Sequence, residues 1–326
     1  MKISTWTQQI RDGIHEQDEL LKLTGHENNN LSNPQRAIKA FPPRVPTAYL
    51  KLIEKNNLND PLLRQVLPVA EEEIDKKGYT KDPVGEFNKH ASPGLIRKYN
   101  GRALLITTNV CPIHCRYCFR RHYPYLDNNA RKENWNAALN TLNNDSSIKE
   151  IILSGGDPLS MTDNKLQSLL QKLEKIKHLE WLRIHTRMPV AIPDRITPEL
   201  ACIISNTRFK KTLVLHSNHP NEIGADVITS LKILHNSGIQ LLNQSVLLRE
   251  VNDNALILSQ LSTRLYENFV IPYYIHMLDP VAGAAHFEVP EQTAKNIMRE
   301  LRSNLPGYLV PRLVKEVEGM PYKLII

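Results

Sequence analysis

The sequence is poor in the features that mark secreted, disulfide-bonded and membrane-spanning proteins. Only four of its 326 residues are cysteines, and three of these lie between Cys111 and Cys118. In a reducing compartment such a cluster more often binds a metal or an iron–sulfur cluster than forms disulfides. The fourth, Cys202, lies in an apolar helical stretch and is predicted to belong to the core. Because the sequence shows neither a signal-peptide core nor an apolar run long enough for a membrane span, we expect a cytoplasmic protein with no membrane segment.

Long blocks of lysine or arginine are also missing. The sequence has 41 basic and 34 acidic residues and a net charge of +7, but the basic residues are scattered. This scatter argues against nucleic acid as a partner and favours small anionic ligands such as phosphates and carboxylates. A hydrophobic content of 41% with 23% charged residues is typical of a globular protein of one or two domains.

The chain changes character near residue 100. Residues 1–100 are polar and rich in proline, with helix-like spacing of apolar residues in Thr47–Asn56 and Pro61–Lys76, and they predict a helical N-terminal region. Over residues 101–307, short apolar runs alternate with amphipathic stretches about six times. This alternation predicts a parallel sheet with helical crossovers, an α/β fold. Residues 308–326 are predicted to form a last strand and a tail.

The alternation assigns individual strands and helices. The predicted strands are Ala103–Thr108, Glu150–Ser154, Trp181–Thr186, Thr212–His216, Ile239–Leu247 and Phe269–His276, followed by Tyr308–Val317 in the tail. The helices between them include Asp163–Ile176, Glu222–Ser237 and Asp253–Asn268. Polar clusters follow five of the strands, and in parallel α/β folds the carboxyl ends of strands form the ligand site. These clusters are Ser154–Asp157, His185–Arg187, His216–His219, Asn243–Gln244 and His276–Asp279.

The cysteine motif directly follows the first strand of the alternation. Cys111, Cys115 and Cys118 are separated by three and then by two residues. Three thiolates on one tight loop can hold three irons of a [4Fe–4S] cluster and leave the fourth iron open to a small bidentate ligand. The alternative is a basic zinc-binding or nucleic-acid-binding protein. Zinc sites close with four ligands, however, and here the fourth would have to be His114 or His122.

In this context the motif resembles that of the radical S-adenosylmethionine superfamily, whose members carry it after the first strand of a partial (β/α)6 barrel. The resemblance implies a [4Fe–4S] cluster, S-adenosylmethionine and a 5′-deoxyadenosyl radical. It also implies that a glycine-rich loop binds the methionyl amino group, where two glycines permit close approach of the backbone. The matching positions for this ligand are Ser154, Gly155, Gly156 and Asp157 in that loop, and His216 and Gln244 at two further strand ends.

From about Gly94 to Lys323 the sequence resembles the lysine 2,3-aminomutase family, most closely its short bacterial branch, which makes β-lysine for modification of elongation factor P. The resemblance implies an isomerase acting on L-lysine, an electron donor such as flavodoxin or ferredoxin, and a functional link to an elongation factor P lysine ligase. Free β-lysine as a metabolite or solute is the alternative, and a homodimer is left open. The shared stretches are Cys115–Arg121, Ile152–Leu159, His219–Glu222, Asn243–Leu248, Pro272–Ile275 and Asp279–Phe287.

The family resemblance also implies a second cofactor, pyridoxal phosphate, held as a Schiff base by Lys323. Most of the family has a richer glycine run before this lysine, of which only Gly319 stands here. Arg102 and Lys98 match cationic contacts to the phosphate group, a role that suits charge-assisted hydrogen bonds.

Three further positions match substrate contacts of the family. Arg120 corresponds to the arginine that binds the substrate carboxylate, a task suited to a planar guanidinium. Asp279 and Glu316 correspond to two acids around the distal ammonium of lysine, and Glu316 departs from the usual aspartate. The C-terminal zinc-binding cysteines of longer members are absent, and Asn254 stands at the matching internal position, so we predict no zinc.

Overall fold

The structure is a computed structural model that describes residues 5–27, 33–87, 89–125 and 135–326. Within these ranges, no helix is long and apolar enough to cross a membrane. The predicted N-terminal region, 1–100, lies partly outside the described residues, at 1–4, 28–32 and 88. The division of the chain into 1–100, 101–307 and 308–326 stays a prediction.

A mixed sheet of ten strands forms the centre of the described structure. Its strands are β1 (His90–Ser92), β2 (Leu95–Ile96), β3 (Arg102–Thr108), β4 (Glu150–Gly155), β5 (Trp181–Thr186), β6 (Lys210–His216), β7 (Gln240–Val246), β8 (Val270–His276), β9 (Arg312–Lys315) and β10 (Leu324–Ile325). Each strand pairs with the next along the chain. The pairs from β3 to β9 are parallel, whereas β1, β2 and β10 pair antiparallel at the two edges. The sheet is not closed, which agrees with the expected partial barrel.

Helices precede the sheet and connect its parallel strands. The helices are α1 (Trp6–Arg11), α2 (Gln17–Leu23), α3 (Gln35–Ala40), α4 (Thr47–Leu50), α5 (Pro61–Arg64), α6 (Asn136–Asn144), α7 (Asp163–Glu174), α8 (Met188–Ala191), α9 (Pro198–Ser205), α10 (Ala225–Asn236), α11 (Ala255–Tyr266) and α12 (Glu291–Asn304). In α7 the buried residues are Leu166, Leu169, Leu170 and Leu173, the spacing of one helical face. The predicted alternation of strands and helices over residues 101–307 is confirmed, and the end positions of the predicted elements there differ by three residues at most.

The N-terminal prediction needs correction. The segments Thr47–Asn56 and Pro61–Lys76 form only the short helices α4 and α5, followed by a 3-10 turn at Ala70–Glu73. Pro68 prevents one helix from running through Pro61–Lys76, because proline lacks an N–H and disfavours a helical conformation in the residue before it. The region also contains the unpredicted hairpin β1–β2. Its turn has Gly94 at φ +73°, a conformation that glycine adopts without strain.

Two further predictions are wrong in detail. The last predicted strand, Tyr308–Val317, is shortened to β9, because Gly307–Leu309 form a 3-10 turn and Val317 is exposed. Cys202 is exposed rather than part of the core. It lies on α9, whose buried face consists of Leu200, Ala201 and Ile204, so the apolar run did not reveal which of its members faces solvent.

One hydrophobic core joins the N-terminal helices to the barrel. Leu20, Tyr49 and Leu62 are fully buried and belong to the same cluster as Leu105 of β3 and Leu153 of β4. At about 25 cal/mol per Å² of apolar surface, burial of such side chains is the main contribution that holds the two parts together. The N-terminal residues thereby cover the sheet near the cysteine loop.

Candidate active site

A cavity of about 660 Å³ lies at the carboxyl ends of the parallel strands. Its volume is typical of a site for small molecules and cofactors. Every site residue predicted from the sequence lines this cavity: Lys98, Arg102, Cys111, Cys115, Cys118, Arg120, Ser154, Gly155, Gly156, Asp157, His216, Gln244, Asp279, Glu316 and Lys323. Residues that lie more than 200 positions apart in the chain are thus brought to one place.

The cysteine loop is hydrogen-bonded to the glycine-rich loop after β4. The Gly156 N–H donates to the Thr108 carbonyl (2.7 Å), and the Asp157 N–H donates to the Val110 carbonyl (2.8 Å). All three cysteines of the motif are free thiols in the structure and lie at the cavity wall. Three cysteines on one loop, facing a cavity with room for a ligand, fit a [4Fe–4S] cluster with an open iron.

Gly156 is required for this contact between the two loops. A Cβ at this position would lie 2.4 Å from the Val110 carbonyl oxygen and 2.7 Å from its carbon, well inside van der Waals contact with rigid backbone. Gly155 has φ +118°, and a Cβ there would lie 2.7 Å from the Thr108 carbonyl oxygen. Both glycines therefore permit a close backbone approach that a larger residue would prevent.

We expect Gly156→Ala to displace Val110 and with it the cysteine loop, so that the protein takes up much less iron and sulfide than the wild type. Bound iron per chain after anaerobic reconstitution measures the effect. Gly307→Ala is the control, because its added Cβ meets no atom within 4 Å. Full iron uptake by Gly156→Ala would show that the loop contact is dispensable.

A buried ion cluster holds the cysteine loop against the N-terminal region. Glu72 accepts hydrogen bonds from Arg116 Nε (2.8 Å) and Nη2 (2.6 Å) and from Arg121 Nη2 (2.6 Å). Arg116 and Glu72 side chains are fully buried. The loop is also bound through Arg44, whose Nη1 donates to the Cys111 carbonyl (3.1 Å). The cysteine loop is thus held by Glu72 and Arg44, which lie outside it.

Because removal of one member of a buried ion cluster leaves the others unpaired, we expect Glu72→Gln to lower the free energy of unfolding by about 3–5 kcal/mol. Chemical denaturation measures this loss. Glu71→Gln is the matched control, since Glu71 is exposed and such surface changes stay within about 0.5 kcal/mol. Equal stabilities of the two variants would contradict the role of Glu72.

Each of the two histidines that could complete a zinc site contacts a backbone carbonyl through one ring nitrogen. His114 Nδ1 lies 2.8 Å from the Pro42 carbonyl, and its ring stacks on Phe41 at a centroid distance of 4.5 Å. His122 Nε2 lies 3.1 Å from the Ala282 carbonyl. Burial lowers the pKa of both rings, that of His114 to about 4, so both are neutral. Each histidine thus binds a backbone carbonyl outside the cysteine motif through one ring nitrogen.

Arg120 is held by an acid that the sequence did not reveal. Glu86 accepts two hydrogen bonds, from Arg120 Nε (2.7 Å) and Nη2 (3.0 Å), and both side chains are buried. The remaining nitrogen, Nη1, donates to Ser154 Oγ (2.8 Å) at the cavity wall. Glu86 lies in a polar stretch with no motif around it, so nothing in the sequence distinguishes it from a solvated surface acid.

A second group of charges surrounds Lys323 in the cavity lining. Glu316 forms ion pairs with Lys323 and with Lys98 (2.7 Å), and it also accepts a hydrogen bond from Tyr99 (2.6 Å). Burial alone would raise the pKa of Glu316, but the charges of Lys323 and Lys98 lower it to about 2. Burial raises the pKa of Asp279 to about 7, although the Lys323 charge opposes this effect.

Several buried nitrogen atoms at the cavity have no partner within the described part of the chain. Among them are Arg102 Nε, His185 Nε2 and His276 Nε2. The Arg102 guanidinium lies over the Tyr99 ring, 4.7 Å from its centroid. Burial holds the pKa of His276 at about 3 and that of His185 well below its usual range, so both rings are neutral. Unpaired buried polar atoms beside Lys323 fit a polar cofactor that supplies the missing hydrogen bonds.

Asp157, His216 and Gln244 differ in how they are engaged. The Asp157 carboxylate accepts hydrogen bonds from Thr186 Oγ1 (2.7 Å) and the Arg187 N–H (2.7 Å), so it fixes the turn after β5 relative to the glycine-rich loop. His216 Nε2 lies 2.9 Å from the Tyr117 hydroxyl, which leaves only part of its ring available to a ligand. Gln244 lines the cavity next to it.

Comparisons with known proteins agree with this architecture. Residues 105–258 match the family model for the radical SAM superfamily. L-lysine 2,3-aminomutase from Escherichia coli is 44% identical over 319 residues, covering 98% of this chain and 93% of the relative. The same enzyme from Buchnera aphidicola is 44% identical over 323 residues, with coverage of 98% and 95%. That from Clostridium subterminale is 35% identical over 318 residues, covering 96% of this chain but 76% of the longer relative.

These matches extend far beyond the cysteine motif. They cover 96% to 98% of this chain, far more than the loop that carries the three cysteines. Identity of this level over almost the whole of two relatives shows a common family. The chain belongs to the lysine 2,3-aminomutase family, within the radical S-adenosylmethionine superfamily.

Proposed function

We propose that this isomerase converts L-lysine to β-lysine by moving the amino group from the α- to the β-carbon, with a [4Fe–4S] cluster, S-adenosylmethionine and pyridoxal phosphate as cofactors. The observation that carries the proposal is that one lysine side chain of the protein itself, that of Lys323, already places its ammonium beside acidic residues of the cavity. The Lys323 ammonium pairs with Glu316, and its charge also acts on the buried Asp279. A substrate with the same side chain presents the same group.

The cofactors would be held by residues with matching chemistry. Cys111, Cys115 and Cys118 supply the thiolates for the cluster, and Gly155 and Gly156 allow its ligand to approach the backbone. When bound, the cluster and S-adenosylmethionine supply a hydrogen-abstracting radical, and pyridoxal phosphate supplies an aldehyde that takes up amines. The adenosyl part would meet His216 and Gln244, which line the same cavity.

The part of the cavity that is lined by the C-terminal segment suits pyridoxal phosphate. Lys323 has the primary amine that this cofactor requires, and its side chain is about one quarter exposed to the cavity. Lys98 and Arg102 are cations that can receive the phosphate group through charge-assisted hydrogen bonds. The free Arg102 Nε is a donor with no competing partner within the described residues.

The substrate would be bound at both ends. Arg120 Nη1 points to Ser154 at the cavity wall, and Glu86 fixes the guanidinium plane, so one edge remains for a substrate carboxylate. Asp279 and Glu316 would receive the distal ammonium in the place that the Lys323 ammonium holds here. Glu316 is already neutralised in part by Lys98, and Asp279 therefore supplies the less compensated negative charge. Fixing both ends places the α- and β-carbons between them.

The test uses anaerobically reconstituted protein with pyridoxal phosphate, S-adenosylmethionine, a one-electron reductant and one amino acid at a time. We expect β-lysine from L-lysine and no β-amino acid from L-glutamate, whose side chain carries the wrong charge for Asp279. Chromatography of the derivatised products measures both. Release of 5′-deoxyadenosine without β-lysine would retain the superfamily chemistry and reject lysine as the substrate.

We further propose that a flavodoxin or ferredoxin supplies the electron to the cluster of this enzyme. We also propose that a separate ligase attaches the β-lysine product to elongation factor P. Support comes from the resemblance of the sequence to the short bacterial branch of the family. The mass of elongation factor P from cells lacking this gene tests the link. An unchanged mass would leave free β-lysine as the product that the cell uses.

A further inference from the structure

A buried arginine contacts one of the three cysteines. Arg187 follows β5, and its Nη1 donates hydrogen bonds to Cys115 Sγ and to the Tyr117 hydroxyl (2.7 Å). Its Nη2 donates to Glu222 Oε1 (2.6 Å) and to Gln65 Oε1 (2.8 Å). The guanidinium thus lies between a cluster sulfur and a carboxylate, and its charge is permanent at physiological pH.

The acid on the far side is itself fixed. Glu222 Oε2 accepts hydrogen bonds from Ser217 Oγ (2.6 Å) and the Asn218 N–H (2.7 Å), and the Glu222 side chain is fully buried. The ion pair of Arg187 with Glu222 therefore has a set direction, with its positive end at Cys115. A buried pair costs desolvation free energy, and none of the substrate or pyridoxal phosphate contacts above uses it.

We propose that Arg187 is a positioning residue that raises the reduction potential of the cluster carried by Cys115. One-electron reduction of a [4Fe–4S] cluster adds one negative charge, part of which lies on the ligand sulfurs, and no bond is formed or broken. A cation and an N–H donor at Sγ stabilise this added charge, and hydrogen bonds to cluster sulfurs are an established control of potential. The inference rests on the cluster assignment but not on lysine or pyridoxal phosphate.

The pair with Glu222 predicts the sign of two different changes. The double variant Arg187→Met, Glu222→Gln removes both charges. Because the positive charge of Arg187 is closer to Cys115 Sγ than the negative charge of Glu222, its loss dominates and lowers the reduction potential of the cluster. Glu222→Gln alone leaves the arginine uncompensated and raises the potential. A residue that only supports the fold would not produce shifts of opposite sign, because loss of packing has no such dependence on charge.

The experiment is a redox titration of the reconstituted holoprotein, followed by the paramagnetic resonance signal of the reduced cluster, without substrate. We expect the double variant to disfavour the reduced form at least tenfold, about 59 mV for a one-electron couple. Glu222→Gln should shift the potential in the opposite direction. Arg187→Lys retains the positive charge but not the guanidinium group. Its reduction potential should lie between those of the double variant and wild type.

Arg195 provides the matched control. It is also fully buried and paired with an acid, Asp163 (2.7 Å), but neither residue lines the cavity. Arg195→Met with Asp163→Asn should leave the potential at the wild-type value. The proposal would be overturned if the double variant at Arg187 and Glu222 had the same cluster reduction potential as wild type. Failure of both Arg187 variants to hold iron would also overturn it, because it would assign the arginine to loop folding alone.

Discussion

Replacement of Lys323 by alanine should abolish β-lysine formation. The variant loses the primary amine that would bind pyridoxal phosphate covalently, and Glu316 loses one of its two cations. We therefore expect both the visible absorption of bound pyridoxal phosphate and the product to disappear. Absorption spectroscopy of the dialysed protein and product chromatography measure these two losses independently.

The control for this variant is Lys315→Ala. Lys315 lies on β9, pairs in register with Leu324 next to Lys323, and is exposed. Its removal should leave cofactor binding and product formation at wild-type levels. Full activity of Lys323→Ala would show that another amine holds the cofactor and would remove the C-terminal segment from the proposed site.

Replacement of Asp279 by asparagine should have the second largest effect. The change preserves shape but removes the less compensated of the two negative charges that would meet the substrate ammonium. Loss of one partner of a buried charge pair costs about 2–5 kcal/mol, which corresponds to a roughly 30- to 5,000-fold lower kcat/KM for lysine. Steady-state kinetics with lysine measures the loss.

An analogue of lysine with a hydroxyl group in place of the distal ammonium provides the control for Asp279. It carries no charge for Asp279 to bind, so wild type and Asp279→Asn should convert it with similar kcat/KM. A tenfold or larger loss with the analogue as well would assign Asp279 to a structural role and contradict the proposed ammonium contact.

Asp279 also predicts a pH dependence. Burial raises its pKa to about 7, so the carboxyl is neutral below that pH and negatively charged above it. The distal ammonium of lysine stays positive throughout this range. The value of kcat/KM for lysine should therefore rise between pH 6 and 8, about one unit either side of that pKa, and this rise should be missing in Asp279→Asn. The same rise in both proteins would assign the titration to another group.

The parts of the site with local sequence signals could be predicted. The spacing of Cys111, Cys115 and Cys118 implies its chemistry directly, and the glycines of the neighbouring loop follow a strand whose apolar run is unmistakable. The order of strands and helices was also readable, because alternation of runs is a local pattern. Lys323 and Arg120 have no local signal of this kind and were assigned only through the family resemblance.

The remaining features depend on contacts between distant segments. Glu86 holds Arg120, and Glu316 binds Lys98, across 34 and 218 positions of the chain. Such charge pairs have no periodicity, and each member alone resembles a surface residue. The same reason explains Cys202, whose apolar neighbours concealed that it faces solvent. The tertiary fold decides which charged residues are buried, and local patterns in the sequence do not reveal these contacts.

The most direct measurement follows the migrating hydrogen with L-lysine deuterated at the β-carbon. A radical aminomutase at this site should place deuterium both in recovered 5′-deoxyadenosine and at the α-carbon of the β-lysine product, since amino group and hydrogen exchange places. β-Lysine that retains all its deuterium at the original carbon, with none in 5′-deoxyadenosine, would contradict a radical aminomutase at this site.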